Sequence, residues 1–389
     1  MNRFWKQLAL ATNWPVLVAV AVLSAAGLLC IWCDSPSDAS PEGPKQLFFL
    51  ALGFVLMIGL QSFHYLRVGR LAWSFYAISL VLVLYTDIGT AVSVPGVLRK
   101  NGACSWIVIG PASLEPSELL KLSFVMVLAR YLRFRSNYRT VIGLVTPFAL
   151  AVVPILMILR QPDLGVAAIF VPTLLAMLFA AGAKVRHIMA VIGLGIAILP
   201  VVWLAGTDTP FFRHLPSLIP MNRRPRVEAM FHDDFKTKQG AGFQQQLALM
   251  AMSSGWTGNG MGNIPIGKHV PEARNDMIFA LIGEQFGLAG SIVVLIAYMV
   301  LFAAGIEIAA ATREPFGRLV ALGIVSFLAA QTFLNLLVTV RLFPVTGVTL
   351  PFVSAGGSSL LASFLSVGLL LNIGQNRPLV IARDSFEYD

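Results

Sequence analysis

Apolar runs dominate this sequence. Ten stretches, at residues 14–33, 45–66, 71–86, 116–132, 141–159, 164–182, 187–205, 276–305, 319–340 and 354–373, read as crossings of a hydrocarbon layer about 30 Å thick. No water is available there, so each run must bond its own backbone groups, and that makes each a helix. With 57% hydrophobic and 12% charged residues against about 25% charged in an ordinary soluble domain, a soluble enzyme is excluded. The expected fold class is an all-α polytopic membrane protein of ten transmembrane helices in a single integral membrane domain, residues 1–389. One large extracytoplasmic loop, residues 206–275, lies between spans seven and eight.

Charge placement orients the bundle. With the N-terminus inside, Arg3, Lys6, Arg67, Arg70, Arg130, Arg133, Arg135, Arg139, Lys184, Arg186, Arg313, Arg318, Arg377 and Arg383 all fall on the cytoplasmic side. The short outside loops keep only Lys45, Arg99, Lys100, Arg160 and Arg341. Loops above about 60 residues are exempt from this rule, so both termini are expected in the cytoplasm. The first run has a basic flank and no small-residue cleavage pattern before Asp34, and it reads as a retained anchor. The net charge of +9 is accounted for by the anionic bilayer surface and calls for no nucleic acid. Cys30 and Cys33 share a CxxC spacing at the end of an apolar run, and Cys104 is distant, so no zinc site is read. No repeat of about 20–50 residues supports a repeat-built transporter.

Polar residues inside or beside spans mark the candidate site, because an ionisable group there costs several kcal/mol (order of magnitude) unless it is paired or hydrated. Glu118 and Lys121, at i and i+3 on one helix face, answer each other, and Asp163 is a candidate third member. The three either fix helix packing or line a polar cavity. Span eight is broken at Gly283-Glu284-Gln285-Phe286-Gly287, which turns it toward the bundle interior. Asp276 stands at the outer mouth of that span, as a helix cap or as a reactive carboxylate beside a basic loop. In that loop Arg223, Arg224 and Arg226, followed by Lys236 and Lys238, form either a solvated charge run or a bidentate diphosphate binder. Residues 244–252 suit a short interfacial helix. Ser354-Ala355-Gly356-Gly357-Ser358-Ser359 opens the last span with small residues that either cradle an anion or let helices approach closely.

These motifs, in their order, resemble the SEDS family, the shape, elongation, division and sporulation proteins typified by RodA and FtsW. The clearest stretch is Phe343-Pro344-Val345-Thr346-Gly347-Val348-Thr349-Leu350-Pro351-Phe352-Val353-Ser354-Ala355-Gly356-Gly357-Ser358-Ser359-Leu360. Ser105-Trp106-Ile107, Pro116-Ser117-Glu118 with Lys121, Gln161-Pro162-Asp163-Leu164-Gly165, Arg224-Pro225-Arg226-Val227 and Pro271-Glu272 through Asp276 to Gly283-Glu284 add to it. The resemblance implies a peptidoglycan glycosyltransferase that polymerises lipid II, releasing undecaprenyl diphosphate, in the bacterial cytoplasmic membrane. It implies Asp276 as the catalytic residue. Trp106, Glu118, Lys121, Asp163, Arg224 and Arg226 are implied as substrate-cavity or structural residues, and Glu284, Ser358 and Ser359 are taken with them as candidate substrate-binding residues. A class B penicillin-binding protein, a transpeptidase, is the implied partner. No cofactor is expected with certainty; a divalent cation is the alternative to arginine for neutralising the leaving group.

The sequence also departs from the family pattern. Arg274-Asn275 replaces the usual His-Thr before the Asp, Glu115 the usual Gln before Pro-Ser-Glu, Ala355 the usual Tyr, Gln285 the usual second Glu, and Leu247-Ala248 a frequent Gln-Ser pair. Pro344-Val345-Thr346-Gly347 with Phe352-Val353 leans toward the RodA branch, while Ile282-Gly283-Glu284 leans toward FtsW. Elongation is the preferred role, with division as the alternative. A lipid II flippase, an ion-coupled transporter using Glu118, Lys121, Asp163 and Glu284, or a scaffold without turnover would be the competing classes.

Overall fold

Each expected span is a helix. The computed structural model describes residues 13–34, 42–91, 95–100, 103–110, 112–135, 140, 142–161, 163–204 and 241–376. In chain order the helices are α1 (Trp14–Asp34), α2 (Glu42–Gln61), the short α3 (Tyr65–Arg70), α4 (Ala72–Ala91), α5 (Pro116–Arg133), α6 (Val145–Arg160), α7 (Leu164–Ala181), α8 (Val185–Leu204), α9 (Ala241–Met252), α10 (Ile278–Ala311), α11 (Pro315–Thr339) and α12 (Gly357–Gln375). Local signals set their ends. Proline opens α5 and α11, where its missing N–H is no loss; Glu314 caps α11 by accepting from Gly317 N at 2.6 Å, and Gly182 ends α7 at φ 91°.

Eight helices among the described residues are long and apolar enough to cross a membrane, and the chain is a multi-pass membrane protein. Two of the ten expected spans fall short of that standard. Helix α5, which carries Glu118, Lys121, Arg130 and Arg133, is one of them, and α8 is the other. Helix α11 lies at the centre, packed against α5, α7, α10 and α12, with α1 along α10 and α2 along α12. Several buried polar groups in this bundle bridge separate elements, as a dry interior favours. Asn372 of α12 donates to the carbonyls of Leu60 (2.8 Å) and Phe63 and accepts from Tyr65 N at 3.0 Å, which closes the turn from α2 to α3.

The stretch between the third and fourth spans, read from the sequence only as a short outside loop, carries a small sheet. Strands β1 (Val97–Lys100), β2 (Ala103–Ile109) and β3 (Ala112–Leu114) form an antiparallel sheet beside α4, with Leu98 opposite Trp106 and Ile107 opposite Leu114. The run from Ser105 to Ile109 is rich in aromatic and β-branched residues, which fit a pleated surface.

The break expected in span eight is a kink at Gly287, where φ is 64° and ψ −159°. A helix broken there frees carbonyls before the kink and N–H groups after it. The loop that follows α9 takes both sets: Asn259 N and Gly260 N donate to the carbonyls of Glu284 (2.8 Å) and Gln285 (3.0 Å), and Leu288 N and Ala289 N donate to those of Gly255 (3.0 Å) and Trp256 (3.1 Å). The approach is so close that a methyl group at Gly287 would lie 2.4 Å from Gly258 N and Trp256 O. Gly287→Ala is therefore expected to lower the melting temperature in detergent, with backbone strain alone costing about 1–3 kcal/mol. Gly193→Ala in α8, where an added methyl meets open space, should leave it unchanged or raise it slightly, and equal melting of both variants would refute the account.

Candidate functional site

The site begins with a buried ion pair. Lys121 and Glu118 lie one turn apart on α5, each about 95% or more buried, with Lys121 Nζ 3.0 Å from Glu118 Oε1 and 2.9 Å from Oε2. A third ligand comes from α11: Nζ donates to Gln331 Oε1 at 2.6 Å. The amide nitrogen of Gln331 then reaches the segment before α12, donating to Thr349 O at 3.0 Å and lying 3.2 Å from Thr349 Oγ1 and 3.5 Å from Ser359 Oγ. Thr349 and Ser359 share a 2.6 Å hydroxyl contact. Ser358 joins from the other side, accepting from Glu115 N at 2.9 Å and donating to Ser113 O on β3 at 2.7 Å.

Asp163 belongs to this cluster electrostatically and to α7 structurally, because its Oδ1 accepts from Val166 N at 2.9 Å as the helix cap. Glu115, noted above only as a departure from the family pattern, is a full member. Its Oε1 accepts from Ser117 Oγ at 2.8 Å. Burial pushes the Glu115 carboxyl up to about 8, Glu118 and Asp163 add repulsion, and Ser117 and Lys121 pull the other way. Burial also raises Asp163, to about 6, against the pull of the Val166 N–H and Lys121. Three carboxyl groups facing one lysine cannot all ionise cheaply, and Glu115 is the one that keeps its proton near neutrality.

Asp276 lies on a different wall, one residue before the α10 cap, which falls on Met277 and makes no side-chain cap bond. Its segment is fixed through the backbone. Ala355 N donates to Arg274 O at 2.8 Å, Ser354 Oγ donates to Asn275 O, and Asn335 Nδ2 on α11 donates to Asp276 O at 2.7 Å and to Val348 O at 2.7 Å. A methyl group built at Gly347 would lie 3.9 Å from Asp276 Oδ2, so the carboxylate faces the segment that opens the signature stretch.

Glu284 stands apart from both walls. It is fully buried, and its two oxygens accept from Ile266 N (2.8 Å) and Gly267 N (2.7 Å). It ties the loop leading to Asp276 onto α10. Trp106 sits half-buried on β2. Arg224 and Arg226 lie outside the described residues, as do Arg223, Lys236 and Lys238. Among the described residues no group of three or more His, Cys, Asp or Glu is placed to hold a metal ion. The short helix expected over residues 244–252 is present as α9: Gln244 Nε2 donates to Pro271 O at 2.7 Å, and Gln245 Nε2 to the carbonyls of Val338 (2.9 Å) and Phe343 (2.7 Å). Gln331 and Asn335 were missed by a reading that followed charges. The signal was present, since two amide side chains four residues apart inside an apolar span demand partners.

Known proteins are similar to this chain in sequence and in fold. The FtsW/RodA/SpoVE family model, described as "Cell cycle protein", matches residues 11–378. "Stage V sporulation protein E" of Bacillus subtilis (strain 168) is 31% identical over 371 residues, covering 92% of this chain and 94% of that protein. "Probable peptidoglycan glycosyltransferase FtsW" of Allochromatium vinosum is 33% identical over 382 residues, covering 93% and 89%. Among solved structures, one chain described under "Structural coordination of polymerization and crosslinking by a peptidoglycan synthase complex" is similar with a TM-score of 0.78 and 27% identity, covering 95% of this chain and 100% of that one. The rod shape determining protein RodA of Thermus thermophilus is similar with a TM-score of 0.67 and 26% identity, covering 95% and 98%.

The titration of Glu115 gives a stability test. Its folded pKa stands above the ordinary value of 4.5, so the folded chain holds a proton that the unfolded chain releases. Its stabilisation is full below about pH 4.5 and is lost as pH rises through about 8. The melting temperature of the wild-type chain is expected to fall from pH 5 to pH 9, and Glu115→Gln to flatten that fall. The slope left at the acid end belongs to Asp163. Parallel melting profiles for the two proteins would overturn the assignment.

Proposed function

The chain belongs to the FtsW/RodA/SpoVE family, and from that membership we propose that it is a peptidoglycan glycosyltransferase that joins lipid II units into glycan strands at the outer face of the bacterial cytoplasmic membrane. The reading takes the bundle as ten crossings with both termini inside, which puts Asp276 and the signature segment on the outer side. The observation that carries it is the setting of Asp276: an aspartate at the mouth of α10 whose backbone is held from α11 and from the start of the signature segment of α12, beside the long loop.

Extending a glycan needs one displacement. The acceptor 4-hydroxyl attacks the sugar carbon of the lipid-linked donor, its proton passes to Asp276 as general base, and the bond from that carbon to the phosphate oxygen breaks. Undecaprenyl diphosphate departs with the bonding pair. One direct displacement inverts the carbon, and no second nucleophilic carboxylate is required. Arg224 and Arg226 are assigned to the charge on the diphosphate, where guanidinium groups bind oxygens in pairs. Trp106, Glu118, Lys121, Asp163, Ser358 and Ser359 are assigned to the wall of the substrate cavity. Glu284 enters by holding the loop. A class B penicillin-binding protein is the proposed partner, in keeping with the solved complex that couples polymerisation to crosslinking.

The test is purified protein with labelled lipid II, with and without the transpeptidase, beside Asp276→Asn. Glycan polymer that falls about 100-fold or more in the variant is the expected result, since a general base contributes roughly 10²–10⁴-fold. Polymer that persists in Asp276→Asn would remove the base, and none from folded protein with its partner bound would point to flipping or scaffolding. For the cellular role we propose elongation, on Pro344-Val345-Thr346-Gly347 and Phe352-Val353. Expression should restore rods to cells depleted of their elongation polymerase and leave cells depleted of their division polymerase filamentous; the reverse pattern would assign division.

A further inference from the structure

The polymerase reading assigns a base but leaves open what aims it. We propose that Asn335 is the positioning residue for Asp276, an inference that rests on the assignment of Asp276 as base. Asn335 lies inside the α11 span and is 1% exposed. Its single amide nitrogen spends both hydrogens on two carbonyls, Asp276 O and Val348 O, each at 2.7 Å. One of these is the carbonyl of the reacting residue itself. The other belongs to the residue after Gly347, the glycine that faces Asp276 Oδ2. The amide therefore sets the distance between the carboxylate-bearing backbone and the segment opposite it.

The helix does not do this work by itself. Helix α10 begins at Ile278 with Met277 as its cap, so Asp276 lies before the helix, and its carbonyl accepts from Asn335. An amide kept for bundle stability would use both ends, yet Asn335 Oδ1 is buried with no hydrogen-bond partner among the described residues. Such an orphan acceptor is costly. It is retained where the nitrogen is fixed by two partners at once. Gln331, one turn earlier on the same face, holds Lys121 and Thr349, so α11 sets both walls of the site from adjacent turns.

The test compares Asn335→Ala and Asn335→Asp with the wild-type chain in lipid II polymerisation, with hydrogen exchange of residues 272–280 as a second readout. In Asn335→Ala, kcat is expected to fall about 10–100-fold, as a misplacement on the order of 1 Å produces, while KM moves less than about threefold. Exchange in the segment should speed up. Asn335→Asp keeps the shape and guards against misfolding. Protonated, it retains one donor; ionised, it has none and faces two carbonyls. Its activity relative to wild type at the same pH should therefore fall as pH rises, whereas the Asn335→Ala ratio stays flat. Wild-type kcat in Asn335→Ala, an equal loss carried by KM, or unchanged exchange would each overturn the proposal. Failure of the underlying reading looks different: Asp276→Asn would still polymerise, and the exchange data would decide on their own whether Asn335 holds the segment.

Discussion

A polar group inside a bilayer has no water to return to, so a donor or acceptor left there without a partner from another part of the chain is costly. This constraint organises the protein. Lys121, Glu118, Gln331, Asn335 and Asn372 are all at least 94% buried among apolar helices; Glu118 is paired with Lys121 on its own helix, and the other four each reach a different element. A buried ion pair adds little net stability, yet removing one partner strands the other at a cost of about 3–5 kcal/mol. Such groups persist because they specify one arrangement of helices. The arrangement they specify brings α5, α7, α11 and the start of α12 to a common edge.

The same accounting explains the kinked α10. A straight helix satisfies its own backbone and offers nothing to a loop. A helix broken at Gly287 presents four unpaired groups, and the loop after α9 closes on them. Glu284 and Gln285 then fasten the loop through side chains, Glu284 to Ile266 N and Gly267 N, and Gln285 Oε1 to Gly262 N at 3.2 Å. The segment that reaches Asp276 is thereby fixed at both ends without a covalent link. Polar residues that would otherwise weaken a membrane span become the means by which a surface loop is held.

Much of this was legible in the sequence, for a physical reason: apolar runs and their interruptions are local signals. The helices follow from run length. The kink follows from two glycines around a carboxylate and an amide, and the Glu118–Lys121 pair from i, i+3 spacing. Asp163 showed its position but not its second role as the α7 cap. What escaped was the work of neutral groups. Asn335 and Gln331 act through partners 13 to 210 residues away in the chain, and no local pattern names those partners. The small sheet was hidden for the opposite reason, since its seven-residue β2 is outweighed by the spans around it.

The balance of charge at the site bears on the chemistry. Lys121 is committed to Glu118 and Gln331 in a buried setting, and its charge also moderates Glu115 and Asp163. A lysine so engaged cannot swing to a departing diphosphate without stranding Glu118. Glu115 adds little negative charge near neutrality, because burial and two neighbouring carboxyls raise its pKa; a neutral carboxyl offers one donor and one acceptor, much as the family's usual glutamine does. The cluster is therefore suited to shaping a polar wall and unsuited to neutralising a leaving group. If transfer occurs as proposed, positive charge for the diphosphate has to come from elsewhere, and the basic loop with Arg224 and Arg226 is where the sequence concentrates it. The work then divides cleanly: the bundle supplies rigidity and the base, and the loop supplies charge on the side where the lipid-linked substrate arrives.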